Sequence, residues 1–159
     1  MEQETLNYKP DSIYQIIKDT SIASLITFKG DDMKMKYRIF ACDSELTAFY
    51  FLVCKDEDGI IETADYPMCT ISIIPTSREK TEYMEVKIMG TITMLTEFKD
   101  AVVQEGFKLL SERSKFAKEL YESGSIGNYV ILKIIPSKIS LRDYNNVAKN
   151  QEITAGVKD

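Results

Sequence analysis

The stretch FYFLVCKDEDGIIETADYP, residues 49–67, decides how this chain folds. Its first six positions, Phe49 to Cys54, end the apolar and aromatic run LTAFYFLVC (46–54), which predicts a strand covered on both faces. The charged tetrapeptide Lys55-Asp56-Glu57-Asp58 ends that run, and Gly59 follows it. Residues 57–66 then place Ile60, Ile61 and Ala64 at helical spacing, and Pro67 halts the pattern. A strand without a solvent face needs sheet neighbours on both edges and cover on both sides. The flanking sequence should supply them.

It does so on either side. Upstream, KPDSIYQIIKDTS predicts a short helix, with Pro10 near its start, Ser12 and Gln15 in capping-box spacing, and Ile13, Ile16 and Ile17 as a stripe. SIASLITFK (21–29) reads as a strand and GDD (30–32) as a turn. MKMKYRIFAC (33–42) alternates, with Met33, Met35, Tyr37 and Ile39 on one face and Lys34, Lys36, Arg38 and Phe40 on the other. Downstream, MCTISIIP (68–75) and TEYMEVKIMGTITML (81–95) are strands. The second sets Met84, Val86 and Ile88 against Tyr83, Glu85, Lys87 and Met89, and Gly90 inside it predicts a bulge or bend. From Glu97 to about Tyr121 the spacing is helical, with the first helix ending near Leu110. ESGSIGN (122–128) is a loop, NYVILKIIP (128–136) and KISLRDY (138–144) read as two further strands, and the tail from Asn145 as frayed. Seven strands with short connections predict mostly antiparallel pairing: a mainly β fold, α+β by content, closed as a barrel of about six to seven strands with peripheral helices.

The chain of 159 residues is read as one domain, its core about 12–144. A net charge of −5 argues against nucleic-acid binding, which needs a basic footprint. No apolar run is long enough for a membrane span, and MEQETLNYKP is too polar for a signal peptide. Cys42, Cys54 and Cys69 lie in apolar runs without CxxC spacing, so reduced, buried thiols in a cytoplasmic protein are expected. The absence of histidine excludes Ser-His-Asp and Cys-His catalysis, HExxH zinc sites and any imidazole base, and no transition-metal site is expected. Asp56, Asp58 and Gly59 half-fit a calcium loop, but its first position would be Cys54 and a strand precedes it. An acidic turn capping a short helix is the better reading.

With these elements placed, the order resembles the FMN-binding split barrel of the pyridoxamine 5'-phosphate oxidase-like superfamily, in particular its small general-stress-protein members. The likeness spans about residues 12–144 and is carried by the opening helix that leads into SIASLITF, the arginine of KYRIF, FYFLVCKDEDGIIETADYP, and EYMEVKIMGTITML with the closing YVILKIIPSKISL. The resemblance implies a homodimer with ligand clefts at the subunit interface and FMN as cofactor. It implies that Arg38 binds the FMN phosphate, that Val53, Cys54 and Lys55 border it, and that Ile39 and Phe40 pass near the flavin ring. Glu85 would approach from the partner subunit. At Gly59 or Ile60, where many such proteins place a phosphate-binding lysine, this chain has no cation, and Asp56, Glu57 and Asp58 surround the spot. Arg142, near a position often occupied by Trp, could replace part of the lost charge. Two functions stay open: a flavin-dependent oxidoreductase acting on a small molecule, or a non-catalytic binder of flavin or another small ligand. The basic face of residues 34–38 also reads as an ordinary solvated surface, and Tyr83, Tyr129 and Tyr144 as packing or interface residues.

Overall fold

A computed structural model describes residues 10–55, 67–75, 84–96, 100–144 and 150–154. The helix expected over 57–66, and with it the acidic turn, lies outside the described residues. Helix α1 (Pro10–Ile17) leads into β1 (Ile22–Lys29), β2 (Asp32–Cys42), β3 (Phe49–Cys54), β4 (Met68–Ile73) and β5 (Met84–Leu95). Helices α2 (Ala101–Arg113) and α3 (Lys115–Glu122) and a 3-10 turn (Ser125–Asn128) precede β6 (Tyr129–Asp143) and β7 (Gln151–Thr154). Every strand pairing is antiparallel. The order is β3-β2-β1-β4-β5-β6-β7, and pairing of β3 with β6 closes the first six strands into a barrel.

The barrel interior follows from the alternation of the strands. Leu25, Phe40, Phe51, Ile71, Val86, Ile88, Leu132 and Ile139 fill it, and Ile13 and Ile17 of α1 add to the same core. The fully apolar β3 is buried on both faces because its outward residues, Tyr50 and Leu52, pack with Val103, Phe107 and Leu110 of α2. Gly106 permits that approach: a Cβ there would lie 2.8 Å from the Tyr50 ring. Arg113, the last residue of α2, ties this layer to α1. Its Nη1 donates to the Thr20 carbonyl at 3.0 Å, and its guanidinium lies 5.3 Å from the Phe40 ring centroid. A cation at that place satisfies carbonyls left open by the end of a helix.

Two sequence expectations are corrected here. The strands expected at 128–136 and 138–144 are one continuous strand, β6, which passes Pro136 through a bulge. Met89 lies opposite Lys138 and Gly90 opposite Pro136, so Ser137 is the extra residue. Its hydroxyl donates to the Met89 carbonyl at 3.1 Å. The tail expected to fray contributes β7, held along β6 by the ladder and by a 2.9 Å Lys138–Glu152 ion pair. The bulge expected at Gly90 is present. Among the described residues no helix is long and apolar enough to cross a membrane.

Candidate functional site

The barrel is split between β2 and β3. These strands pair only through Phe40–Phe51, Ala41–Tyr50 and Cys42–Phe49. Beyond that point β2 continues beside β1, as far as Asp32, and β3 continues beside β6, as far as Cys54. The next rungs, Ile39 with Leu52 and Arg38 with Val53, are not made. Arg38 therefore stands at the mouth of the split. It lies opposite the buried Ala23 and on the same strand face as the core residue Phe40. Its Nη1 donates to the Tyr37 carbonyl at 3.0 Å, and partial burial lowers its pKa below the ordinary guanidinium range. Arginine remains a cation with planar, forked donors, a geometry suited to phosphate or carboxylate.

The other residues of this group line the split in different ways. Ile39 is half-buried against the helical layer. Phe40 is fully buried, its ring 6.0 Å from that of Phe51, and Val53 is buried in the barrel core. Only the main chain of those two can therefore face a ligand. Cys54 is half-buried opposite Tyr129, and the exposed Lys55 donates its backbone N–H to the Asn128 carbonyl at 2.8 Å.

Glu85 and Arg142 belong to a second group, on the outer face of the sheet and separated from β2 by β1 and β4. They are direct cross-strand neighbours on β5 and β6. Among the described residues no ion pair joins them. Instead Glu85 Oε2 accepts from Ser72 Oγ at 2.6 Å, and Oε1 accepts from the Tyr144 hydroxyl at 3.1 Å. One chain thus assembles the Arg38 group and the Glu85 group on opposite faces of its sheet and does not bring them together. The sequence carried no sign of Ser72 or Tyr144 in this cluster, because the contacts depend on the β4–β5 register and on where β6 ends.

Around the second group the outer face is unusually apolar. Met33, Met35 and Tyr37 of β2 are 64%, 55% and 69% exposed. Ile22 and Phe28 of β1, Met68 of β4 and Met89 of β5 are exposed on the same side. Register places Met35, Ile26, Thr70 and Met89 in one row across four strands. Contiguous apolar surface of this kind marks an interaction face.

The buried thiols are inert. Burial pushes Cys42 up to about 11, against a smaller opposing effect of Arg113, and pushes Cys69 up to about 12. Neither is a thiolate at neutral pH. Among the described residues no group of three potential ligands is placed to hold a metal ion.

No protein-family model matches the sequence, and neither does any curated protein. Solved structures do. A heme-binding protein of Mycobacterium smegmatis superposes with a TM-score of 0.72 at 13% identity, over 92% of this chain. The chain spans only 58% of that longer protein. A Clostridium acetobutylicum protein related to general stress protein 26, of the pyridoxinephosphate oxidase family, gives 0.67 at 11% identity over 98% of this chain and 97% of its own. The heme storage protein of Vibrio cholerae gives 0.63 at 10% identity over 90% and 92%. The chain has the split-barrel fold of the pyridoxamine 5'-phosphate oxidase-like proteins.

Proposed function

We propose that this chain is an FMN-binding homodimer and works as a small flavin-dependent oxidoreductase on a small organic molecule. The observation that carries this reading is the parting of β2 from β3 with Arg38 at its edge. A half-buried guanidinium beside open strand edges offers a phosphate forked, charge-assisted hydrogen bonds. Main-chain groups of Ile39, Phe40, Val53 and Cys54 and the Lys55 ammonium would border the cofactor. A second copy packed on the apolar outer face would carry its own Glu85 and Arg142 towards that cleft. FMN would supply electron transfer, a chemistry that suits a chain lacking histidine. The protein's share is to hold the phosphate, keep the ring against a dry wall and orient the substrate.

Binding of flavin or another small ligand without turnover is the second reading. The sequence favours it, because the resemblance expects a phosphate-binding lysine near Gly59 or Ile60 and this chain has the acidic run Asp56-Glu57-Asp58 there instead. Heme, named for two proteins of this fold, fits the chain less well. No imidazole exists to ligate iron, and Cys42 and Cys69 are buried and protonated.

The test is flavin binding by the purified protein. The flavin absorption band should be present or should appear on adding FMN, and Arg38→Ala should weaken FMN about tenfold or more while affecting riboflavin little. Protein that stays colourless with excess FMN overturns the reading. Oxidation of NADH or NADPH by the loaded protein separates enzyme from carrier.

A further inference from the structure

We infer that Tyr144 and Ser72 are positioning residues that fix the Glu85 carboxylate as the hydrogen-bond-accepting wall of the inter-subunit cleft, for the N–H or O–H donors of a bound ligand. This inference rests on the reading of the chain as an FMN-binding dimer. A carboxylate on an exposed strand face normally turns freely in water and spends its interactions on solvent. Glu85 does not: each of its oxygens takes a hydroxyl hydrogen bond, one from β4 and one from just beyond β6. Those strands flank β5 on its two sides, so the carboxylate is gripped from both.

The choice of hydroxyls over cations matters. Arg142 is the direct cross-strand neighbour of Glu85, and Lys87 is two residues along the same face. Neither forms an ion pair with Glu85 among the described residues, so the carboxylate is held by hydroxyls and not by a cation. Hydroxyl partners orient a carboxylate while leaving its remaining lone pairs available. Such a group accepts from neutral or cationic hydrogen-bond donors and offers a phosphate nothing to bind. An oxidised flavin offers donors of this class in its ring N–H and its ribityl hydroxyls. Its phosphate must then be held elsewhere. Arg38, on the opposite face of the sheet, meets that requirement only if the two ends of the ligand touch different copies of the chain.

Three variants test the inference: Tyr144→Phe and Ser72→Ala, which remove one hydroxyl each from different elements, and Glu85→Gln. FMN affinity and the midpoint potential of the bound flavin are measured on protein confirmed as dimer by sedimentation. Each single variant should weaken FMN about three- to tenfold, the worth of one hydrogen bond. Glu85→Gln should raise the potential, because a nearby negative charge opposes reduction. Tyr144→Phe should raise it in the same sense by less. The double variant Tyr144→Phe/Glu85→Gln should match Glu85→Gln alone, since the tyrosine acts only through the carboxylate. If the wild type binds FMN but all three variants are silent, or the tyrosine and glutamate effects simply add, the positioning role is wrong. If the wild type binds no FMN, the functional reading falls and takes this inference with it.

Discussion

Cys42 and Cys69 make the stability of the protein depend on pH in a defined direction. Both thiols sit in the barrel core, where desolvation raises them from 9.0 to about 11 and about 12. Above pH 9.0 the unfolded chain loses these protons while the folded chain keeps them. The unfolded state then binds fewer protons, so stability is complete below that pH and falls as pH rises towards the folded values. Each thiol contributes a slope of up to about 1.4 kcal/mol per pH unit. Urea midpoints taken between pH 9 and 11 should fall for the wild type and fall less steeply for Cys69→Ala, whatever its baseline stability. Equal slopes would show that Cys69 is not the titrating group. At this scale the sequence was informative where burial follows pattern: Cys42 and Cys69, in apolar runs, are buried as expected, whereas Cys54 at the end of β3 is only half-buried. It was silent where geometry is set by turns. Leu46 adopts a left-handed φ of 57° and is nonetheless buried, with no glycine to announce it. The turn is fixed by Asp43, whose Oδ1 accepts from the N–H groups of Thr47 and Ala48 at 2.8 and 2.9 Å.

Among the elements, β5 and β6 show why some boundaries were visible and others not. Proline interrupts most interior strands because it lacks an N–H for the ladder. Pro136 therefore read as the end of one strand and Lys138 as the start of another. The bulge resolves the conflict by placing Pro136 opposite Gly90, with Ser137 left over to bond the Met89 carbonyl. Gly90 is needed there: a Cβ would lie 2.6 Å from the Ile135 carbonyl oxygen and 2.7 Å from the Ile134 side chain. Gly90→Ala is expected to cost about 2 kcal/mol, a fall of roughly 4–8 °C in Tm for a chain of this size. An unchanged calorimetric Tm would mean that the bulge shifts to absorb the methyl group. The tail strand β7 was illegible for a different reason. Gln151-Glu152-Ile153-Thr154 has little apolar periodicity, and the strand exists because β6 offers it an edge. Helix α2 outran its expected end near Leu110 because its last turn carries Arg113, whose contacts with α1 and Phe40 are tertiary.

For the whole molecule, the alternation of β2 has a meaning that a single strand cannot convey. Residues 33–39 alternate as a half-buried strand should, yet in one chain Met33, Met35 and Tyr37 are all exposed. In the proposed dimer, this is the surface that a second copy would cover. A stable dimer needs about 800 Å² from each partner, and a face spanning four strands can supply an area of that order. Tyr37→Asp places a charge at the middle of the proposed interface, at a position 69% exposed in one chain, so folding of the isolated barrel should be little affected. The expected outcome in sedimentation velocity at micromolar concentration is a dimeric wild type and a monomeric variant. Because the Arg38 group and the Glu85 group lie on opposite faces of one sheet, loss of the dimer should also abolish FMN binding. The variant's far-UV circular dichroism should stay that of the wild type. A wild type that sediments as a monomer yet binds FMN would refute the two-chain cleft and require both groups of residues to be reassigned.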